Sequence, residues 1–353
     1  MIVCIIGQNL TSLVLANALV KIGLRVELIV NKKTKNYPKS RTLGISKSNV
    51  DFVSKNICNI NNFSWKIKKI KIFENNNLNK ELVTFQNNDY LFSIIKNHQF
   101  YDNLKKKLKD NNKFKENKVF DSKKYDLIIN TDPSHSLTKK FFSKKIKKNY
   151  YSNAYTTVIK HKKIVNDQAI QVFTKNGPIA FLPISNNETS LVYSYNGKIK
   201  LSKTKFIELI NRYNTKFNII KFNEINFFPL KSSNLRSYYY KNILAFGDIL
   251  HQIHPLAGQG FNMTIRDIKI LLKIIKNKVE LGLPIDQSVN ADFEKKTKSK
   301  NYLFSKGIDM IYELFNLQGK LNNKFINQTI LYMGKNRNLN KAFKMIADTG
   351  SLF

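Results

Sequence analysis

The sequence predicts an α/β protein: a doubly wound parallel-sheet unit, interleaved with a mostly antiparallel β-sheet domain and followed by a helical C-terminal part. Three observations carry that expectation. Ile2 to Ile6, Leu10 to Ile22 and Leu24 to Val30 are mainly apolar segments in strand–helix–strand order, the unit that forms a parallel pair with a right-handed crossover. Four strand-like runs crowd between Tyr155 and Tyr195, too close for helical crossovers and well spaced for hairpins. From Val289 to Phe353 the pattern is helical, with no turn-rich strands.

Ile2 to Ile6 shows no alternation and reads as a strand buried on both faces. The helix after it is closed by Gly23. Lys32 to Arg41, containing Tyr37-Pro38, is a polar connection. Trp65 to Phe73 reads as one strand, with partial alternation through Ile67, Ile70 and Ile72, and Leu82 to Phe85 as another. Phe100 to Leu108 is a short basic helix. Tyr125 to Asn130 is an apolar strand ending at Thr131-Asp132-Pro133. The crowded middle comprises Tyr155 to His161, Ala169 to Thr174, Ile179 to Ile184 and Thr189 to Tyr195, with Asn176-Gly177-Pro178 as a turn. Lys203 to Tyr213 is a helix, and Asn223 to Leu230 and Asn242 to Phe246 are strands. From Gln259 a helix places Phe261, Ile265, Ile268 and Leu272 on one face.

A length of 353 residues suits about two domains. A hydrophobic share of 42% supplies a core and excludes a disordered chain. Cys4 and Cys58 are too few for a disulfide framework and point to a reducing compartment. The net charge is +36, yet only six of the 60 basic residues are arginine. Nucleic-acid readers rely on the arginine fork, so no nucleic-acid partner is expected. Two readings of the lysines stand: solvated faces, or attraction to an anionic membrane. Met1 to Val20 is uncharged, but it lacks a basic leader and is broken by Gly7, Gln8, Asn9, Thr11 and Ser12. A signal peptide or membrane span is therefore not expected. The protein is read as cytoplasmic, with association at the inner face of the membrane as the alternative.

The most informative stretch runs from Leu244 to Met263, LAFGDILHQIHPLAGQGFNM. An apolar strand leads into Gly247-Asp248, placing a carboxylate where open α/β sheets bind ligands. Pro255 and Gly258-Gln259-Gly260 then form a turn poor in side chains before a long helix. Such a turn lets a flat ligand approach the backbone, and the helix N-terminus favours negative charge. The bland alternative is a capping turn with incidental glycines.

This stretch resembles the glycine–aspartate motif of class A flavoprotein monooxygenases. Gly247-Asp248, His251, His254 to Gly260, Asn262, Arg266 and Asp267 are similar to the ubiquinone biosynthesis hydroxylase branch of that family. Arg41 to Ser46, Gly177 to Pro183 after Gln171 and Phe173, and Phe228 to Leu230 resemble the same branch. Weaker likeness reaches Phe293-Glu294 and Asp309 to Phe315. The resemblance implies an FAD/NAD(P)-binding Rossmann-like three-layer domain at 1–62, 96–150 and 235–288. It implies a p-hydroxybenzoate hydroxylase-like substrate sheet at 63–95 and 151–234, with C-terminal helices at 289–353.

The activity implied is an FAD-dependent monooxygenase acting through a flavin C4a-hydroperoxide, with NAD(P)H as transient reductant. Its substrates would be O2 and a prenylated phenol of ubiquinone biosynthesis, and a membrane surface or a ubiquinone-synthesis complex would be further partners. Asp248 would hold the ribitol. The Pro255 to Gly260 turn, with Ala257, Gly258 and Gln259, would face the flavin ring, Arg41 would lie beside it, and Gly247, Asn262 and Met263 would be further cofactor-binding residues. Gly7, Asn9 and Ser12 stand where the family has three glycines, and Asp132 would serve the pyrophosphate side.

Several positions depart from the family. Asn9 is expected to keep the turn because Asn tolerates a left-handed backbone, and Ser12 is small enough to pack. Val30 replaces the acidic residue expected at the ribose, and Asp132-Pro133 replaces an Asp-Gly pair. The segment between Leu108 and Asp132 is short for the family. All these changes fall at the ADP end, so a cofactor-poor scaffold subunit is kept as an alternative, beside a related flavoprotein reductase. No catalytic base is identified. His251 and His254 have i, i+3 spacing, but no third metal ligand joins them. Cys4 and Trp65 read as core residues, and His98 and His161 have no partner evident in the sequence.

Overall fold

The structure is a computed structural model that describes residues 1–30, 39–74, 77–197, 200–255, 258–321 and 336–350. The chain begins β1 (Ile2–Ile6), α1 (Leu10–Lys21), β2 (Arg25–Ile29), β3 (Thr42–Ser46), α2 (Lys47–Asn56), β4 (Ser64–Ile67), β5 (Lys69–Glu74) and β6 (Asn77–Gln86). β7 (Phe92–Lys96), α3 (Asn97–Lys109), β8 (Phe114–Asn117), β9 (Leu127–Asn130) and α4 (Ser136–Phe141) follow. The middle holds β10 (Lys145–His161), β11 (Gln168–Thr174), β12 (Gly177–Pro183), β13 (Glu188–Tyr195), α5 (Lys203–Tyr213), β14 (Ile219–Phe222) and β15 (Asn226–Leu235). It ends with β16 (Tyr239–Tyr240), β17 (Ile243–Ala245), β18 (His251–Gln252), α6 (Gln259–Glu280), α7 (Gln287–Leu321) and α8 (Arg337–Thr349).

β17, β9, β1, β2 and β8 form a parallel sheet, with β16 antiparallel on its edge. β1 is buried on both faces because α1 covers one and α6 belongs to the same core, through Ile265, Ile268 and Leu271. This is the doubly wound unit expected from the opening strand–helix–strand. A second, larger sheet runs β18-β15-β10-β13-β12-β11-β5-β6 and is antiparallel except between β11 and β5. One of its faces buries Tyr155, Phe181, Leu191 and Tyr193 against Phe206 and Ile210 of α5. A small third sheet, β3-β7-β4, joins the two.

The expected single strand at Trp65 to Phe73 is two strands in two sheets. The break is at Lys68, whose N–H donates to the Asp167 carbonyl and whose carbonyl accepts from Asn87 N–H, at 3.0 and 3.1 Å. Strands expected at 155–161 and 223–230 are longer or shifted, at 145–161 and 226–235. Gly177-Pro178 opens β12 rather than lying within the turn. The polar connection at Lys32 to Arg41 lies largely outside the described residues, and Ala257 wholly so. α8 docks onto α2: the Ser48 N–H donates to Asp348 Oδ1 at 2.9 Å, and the Ser46 hydroxyl donates to the Asp348 carbonyl at 3.1 Å. Asp348 thereby caps α2, whose own N-cap, Ser46, makes no side-chain cap bond. Among the described residues no helix is long and apolar enough to cross a membrane.

Candidate active site

The turn from β1 into α1 depends on Gly7. Its φ is +117°, and a Cβ there would stand 2.6 Å from Thr131 Oγ1, so any larger residue is both strained and blocked. Asn9 is extended at φ −126°, not left-handed as expected. It is the N-cap of α1. Its Oδ1 accepts the Ser12 N–H at 3.0 Å, and Ser12 Oγ accepts the Asn9 N–H at 3.0 Å. That reciprocal capping box is the stronger preference of an Asn at this position. Asn9 Nδ2 also donates to the Thr131 carbonyl at 2.9 Å, tying the helix start to the end of β9. Ser12 is therefore a capping partner. Leu10 and Thr11, in the first turn, face a cavity together with Asn9.

β17 leads through Phe246 into Gly247, and a Cβ there would come 3.0 Å from Thr11 Cγ2. The strand end and the helix start therefore abut. A single 3-10 turn, Gly247–Ile249, leaves Asp248 exposed and turned to the same cavity. Gly258, at φ +65°, starts α6 without a side-chain cap, leaving first-turn N–H groups of α6 available. Its Cα sits against β3: a Cβ would lie 3.5 Å from Gly44 N. Asn262 holds that approach. Its Nδ2 donates to the Gly44 and Gly258 carbonyls at 2.9 and 3.2 Å, and its Oδ1 accepts from Ser46 N–H and Asn49 Nδ2 at 2.9 and 3.0 Å. With its carboxamide so engaged, Asn262 clamps α6 to β3.

Two cavities result. The first, about 470 Å³, is bordered by Asn9, Thr11, Arg41, Asp248, Gly258 and Gly260, and its floor is the face of the large sheet turned away from α5. Arg41 places its guanidinium 5.9 Å from the Phe228 ring centre, and Pro255 borders the same space. The second, about 450 Å³, is walled by Ile70, Ile72, Phe85, Phe92, Ile94 and Leu182 and closed by α8. Both cavities touch Gly44, Gly258, Gln171, Ala180 and Leu182. Gln259 faces the second, with its Oε1 buried and, among the described residues, lacking a hydrogen-bond partner. Met263 is buried in the core and borders neither. Asp132 also stands apart, its Oδ1 accepting from the Ser134 N–H and hydroxyl at 2.9 and 2.7 Å.

Behind the first cavity His251 Nε2 lies 2.6 Å from Asp267 Oδ2, both side chains 1% exposed, and Asn301 Nδ2 donates to Asp267 Oδ1 at 2.9 Å. His254 goes elsewhere. It stacks on Tyr312 at 4.1 Å between ring centres, with Tyr150 edge-on at 5.0 Å. Burial pushes its pKa down to about 3, so it is neutral. His161, without an evident partner in the sequence, bonds the Lys162 carbonyl and Thr189 Oγ1 at 2.9 and 3.0 Å. Burial pushes the Cys58 thiol up to about 11 and the Cys4 thiol higher still, which leaves both unreactive. The Asp348 cap had no signal in the sequence beyond its chemical type; Gln171 stood in a stretch that resembles the family, but its place between the cavities depends on strand pairing.

No protein-family profile matches the chain. In sequence it is similar to a 3-demethoxyubiquinol 3-hydroxylase of Escherichia coli, 27% identical over 157 residues, 42% of this chain and 40% of that protein. It is likewise similar to the ubiquinone hydroxylase UbiL of Rhodospirillum rubrum, 27% identical over 174 residues, 47% of this chain and 41% of that protein. The chain thus covers about two fifths of the length of these curated relatives. In structure it is similar to p-nitrophenol 4-monooxygenase PnpA from Pseudomonas putida, with a TM-score of 0.80 at 11% identity over 98% of this chain and 97% of that one. Klebsiella pneumoniae HpxO, solved with FAD and uric acid, gives 0.75 at 12% over 99% and 96%. These likenesses show the fold, a p-hydroxybenzoate hydroxylase-like flavin-monooxygenase architecture.

Proposed function

We propose that this chain is an FAD-dependent monooxygenase that hydroxylates the ring of a polyprenylated phenol in ubiquinone biosynthesis, with O2 as co-substrate and NAD(P)H as reductant. The observation that carries this reading is the meeting of two cavities at Gly44 and Gly258, one edged by backbone donors and a carboxylate, the other apolar. The residues present suit the cofactor. The start of α1 offers Leu10 and Thr11 N–H groups to a pyrophosphate, Asp248, which borders the same cavity, would take the ribitol hydroxyls, and the glycine-lined approach admits a flat ring. When bound, the flavin supplies the redox and oxygen chemistry. The chain's own residues bind and orient: Arg41 and Pro255 border the ring space, the Asn262 clamp fixes its width, and the apolar cavity takes the prenyl chain out of water.

In this reading residues 1–62, 96–150 and 235–288 bind FAD, 63–95 and 151–234 bind substrate, and 289–353 brace both. The +36 charge supports association with an anionic membrane surface at its inner face, from which such a substrate would be drawn, or with a ubiquinone-synthesis complex. A second reading, a scaffold subunit without cofactor, is favoured by Val30 at the ribose position and by the engaged Asp132 carboxylate. Visible absorbance of the protein titrated with FAD separates the two. A perturbed, saturable flavin spectrum that Asp248→Ala weakens at least about tenfold, about 1.4 kcal/mol, supports the monooxygenase. No binding at high FAD supports the scaffold.

A further inference from the structure

The floor shared by the two cavities is one register row of the large sheet. Ile72, Gln171, Ala180, Val192 and Thr156 pair in turn across β5, β11, β12, β13 and β10. Cross-strand partners project on the same face, and this row borders one cavity or the other along its whole length. Five residues border both cavities. Gly44, Gly258 and Ala180 bring no functional group and Leu182 is apolar, so Gln171 supplies the hydrogen-bonding side chain at the junction. Gln171 is half-buried, and among the described residues no side-chain partner engages its carboxamide. The other polar groups nearby are committed or lie to one side: Thr42 Oγ1 and Ser190 Oγ bond each other at 2.8 Å, and Lys47 pairs with Asp89 at 3.0 Å. Half-buried at the junction of two cavities, that amide is open to a ligand that enters them.

We propose that Gln171 is the substrate-orienting residue: its carboxamide hydrogen-bonds the ring hydroxyl of the phenol, holding the ring at the junction with its chain in the apolar cavity. This rests on the flavin monooxygenase reading above. It assigns one residue the discrimination between a phenol and the same ring without its hydroxyl, because a site built to bond a hydroxyl rejects the analogue lacking it.

The test uses the full chain loaded with FAD, titrated with 2-prenylphenol and with prenylbenzene while the flavin absorbance is followed. The wild-type protein binds the phenol about tenfold or more tighter than the hydrocarbon, as one hydrogen bond in a dry site allows. Gln171→Leu brings that ratio to within about twofold of unity, with prenylbenzene and FAD affinities unchanged, and Gln171→Glu, which keeps an acceptor, retains part of it. An unchanged ratio in Gln171→Leu with FAD bound overturns the assignment alone, as does collapse of the ratio in Gln259→Leu but not in Gln171→Leu. If Gln171→Leu does not fold, the ratio is read in Gln171→Met, with the same outcomes decisive. Failure of the wild-type chain to bind FAD overturns the flavin reading itself, and the assignment with it.

Discussion

Asn262 Nδ2 stands 2.9 Å from the Gly44 carbonyl oxygen, which makes one buried amide the fastener between α6 and β3. Both Nδ2 bonds go to carbonyls, so a carboxylate in its place would face two acceptors. Asn262→Asp is expected to lower stability by about 2–4 kcal/mol and to weaken FAD binding as the Gly44–Gly258 approach opens. Urea unfolding and an FAD titration measure the two effects. A variant with the wild-type midpoint would remove Asn262 from the clamp.

His254 is expected to make the protein acid-sensitive. Its ring is neutral when folded because burial lowers its pKa to about 3, helped by Lys148, against an ordinary value of 6.5. The unfolded chain therefore takes up this proton at a higher pH than the folded one. Above pH 6.5 both forms are neutral and nothing is lost; as pH falls from 6.5 toward 3 stability declines, by up to about 1.4 kcal/mol per pH unit for one proton. His254→Phe keeps an aromatic ring between Tyr150 and Tyr312 and removes the proton. Its urea midpoint should fall less steeply between pH 7 and 4.5 than that of the wild type, and identical slopes would show that His254 does not carry the effect.

Asp348 caps a helix some 300 residues away in sequence, and the fastening of α8 is mostly polar: Asn340 Nδ2 reaches the Thr84 carbonyl at 3.3 Å and Lys344 Nζ the Gln86 carbonyl at 3.4 Å. Removing the cap costs about 1 kcal/mol. Asp348→Ala should therefore speed hydrogen exchange across 337–349 while the parallel-sheet core exchanges as before. Uniformly faster exchange would instead mean that α8 unfolds only with the whole molecule.

The parallel unit was legible because Ile2–Ile6 is wholly apolar and Leu10–Lys21 and Arg25–Ile29 are mainly so, so local sequence and tertiary burial agree. The Leu244 to Met263 stretch was legible because glycine, proline and a lone carboxylate in fixed order leave few geometries. β3 and α2 were not, since both are short and depend on Asn262 and Asp348 from distant parts of the chain. The division of Trp65–Phe73 likewise depends on bonds from Asp167 and Asn87. For Asn9 the left-handed expectation failed because the capping bonds with Ser12 and the bond to the Thr131 carbonyl hold it extended. Gln171 acquires its place only when β11 pairs with β12 and β5, which spacing along one strand does not reveal.

The buried pair His251–Asp267 separates an energetic role from a merely local one. His251 borders the first cavity from β18, while Asp267 projects from α6 and is also held by Asn301. Removing the imidazole leaves a carboxylate that is 1% exposed with one donor fewer, and breaking such a pair costs about 3–5 kcal/mol. Replacing both members by apolar residues of similar size costs less, because no charge is then stranded. His251→Leu should therefore unfold at markedly lower urea than the double variant His251→Leu, Asp267→Leu, the reverse of additive behaviour. If the double variant is the less stable by the sum of the two single effects, the pair is uncoupled, and His251 serves the cavity wall alone.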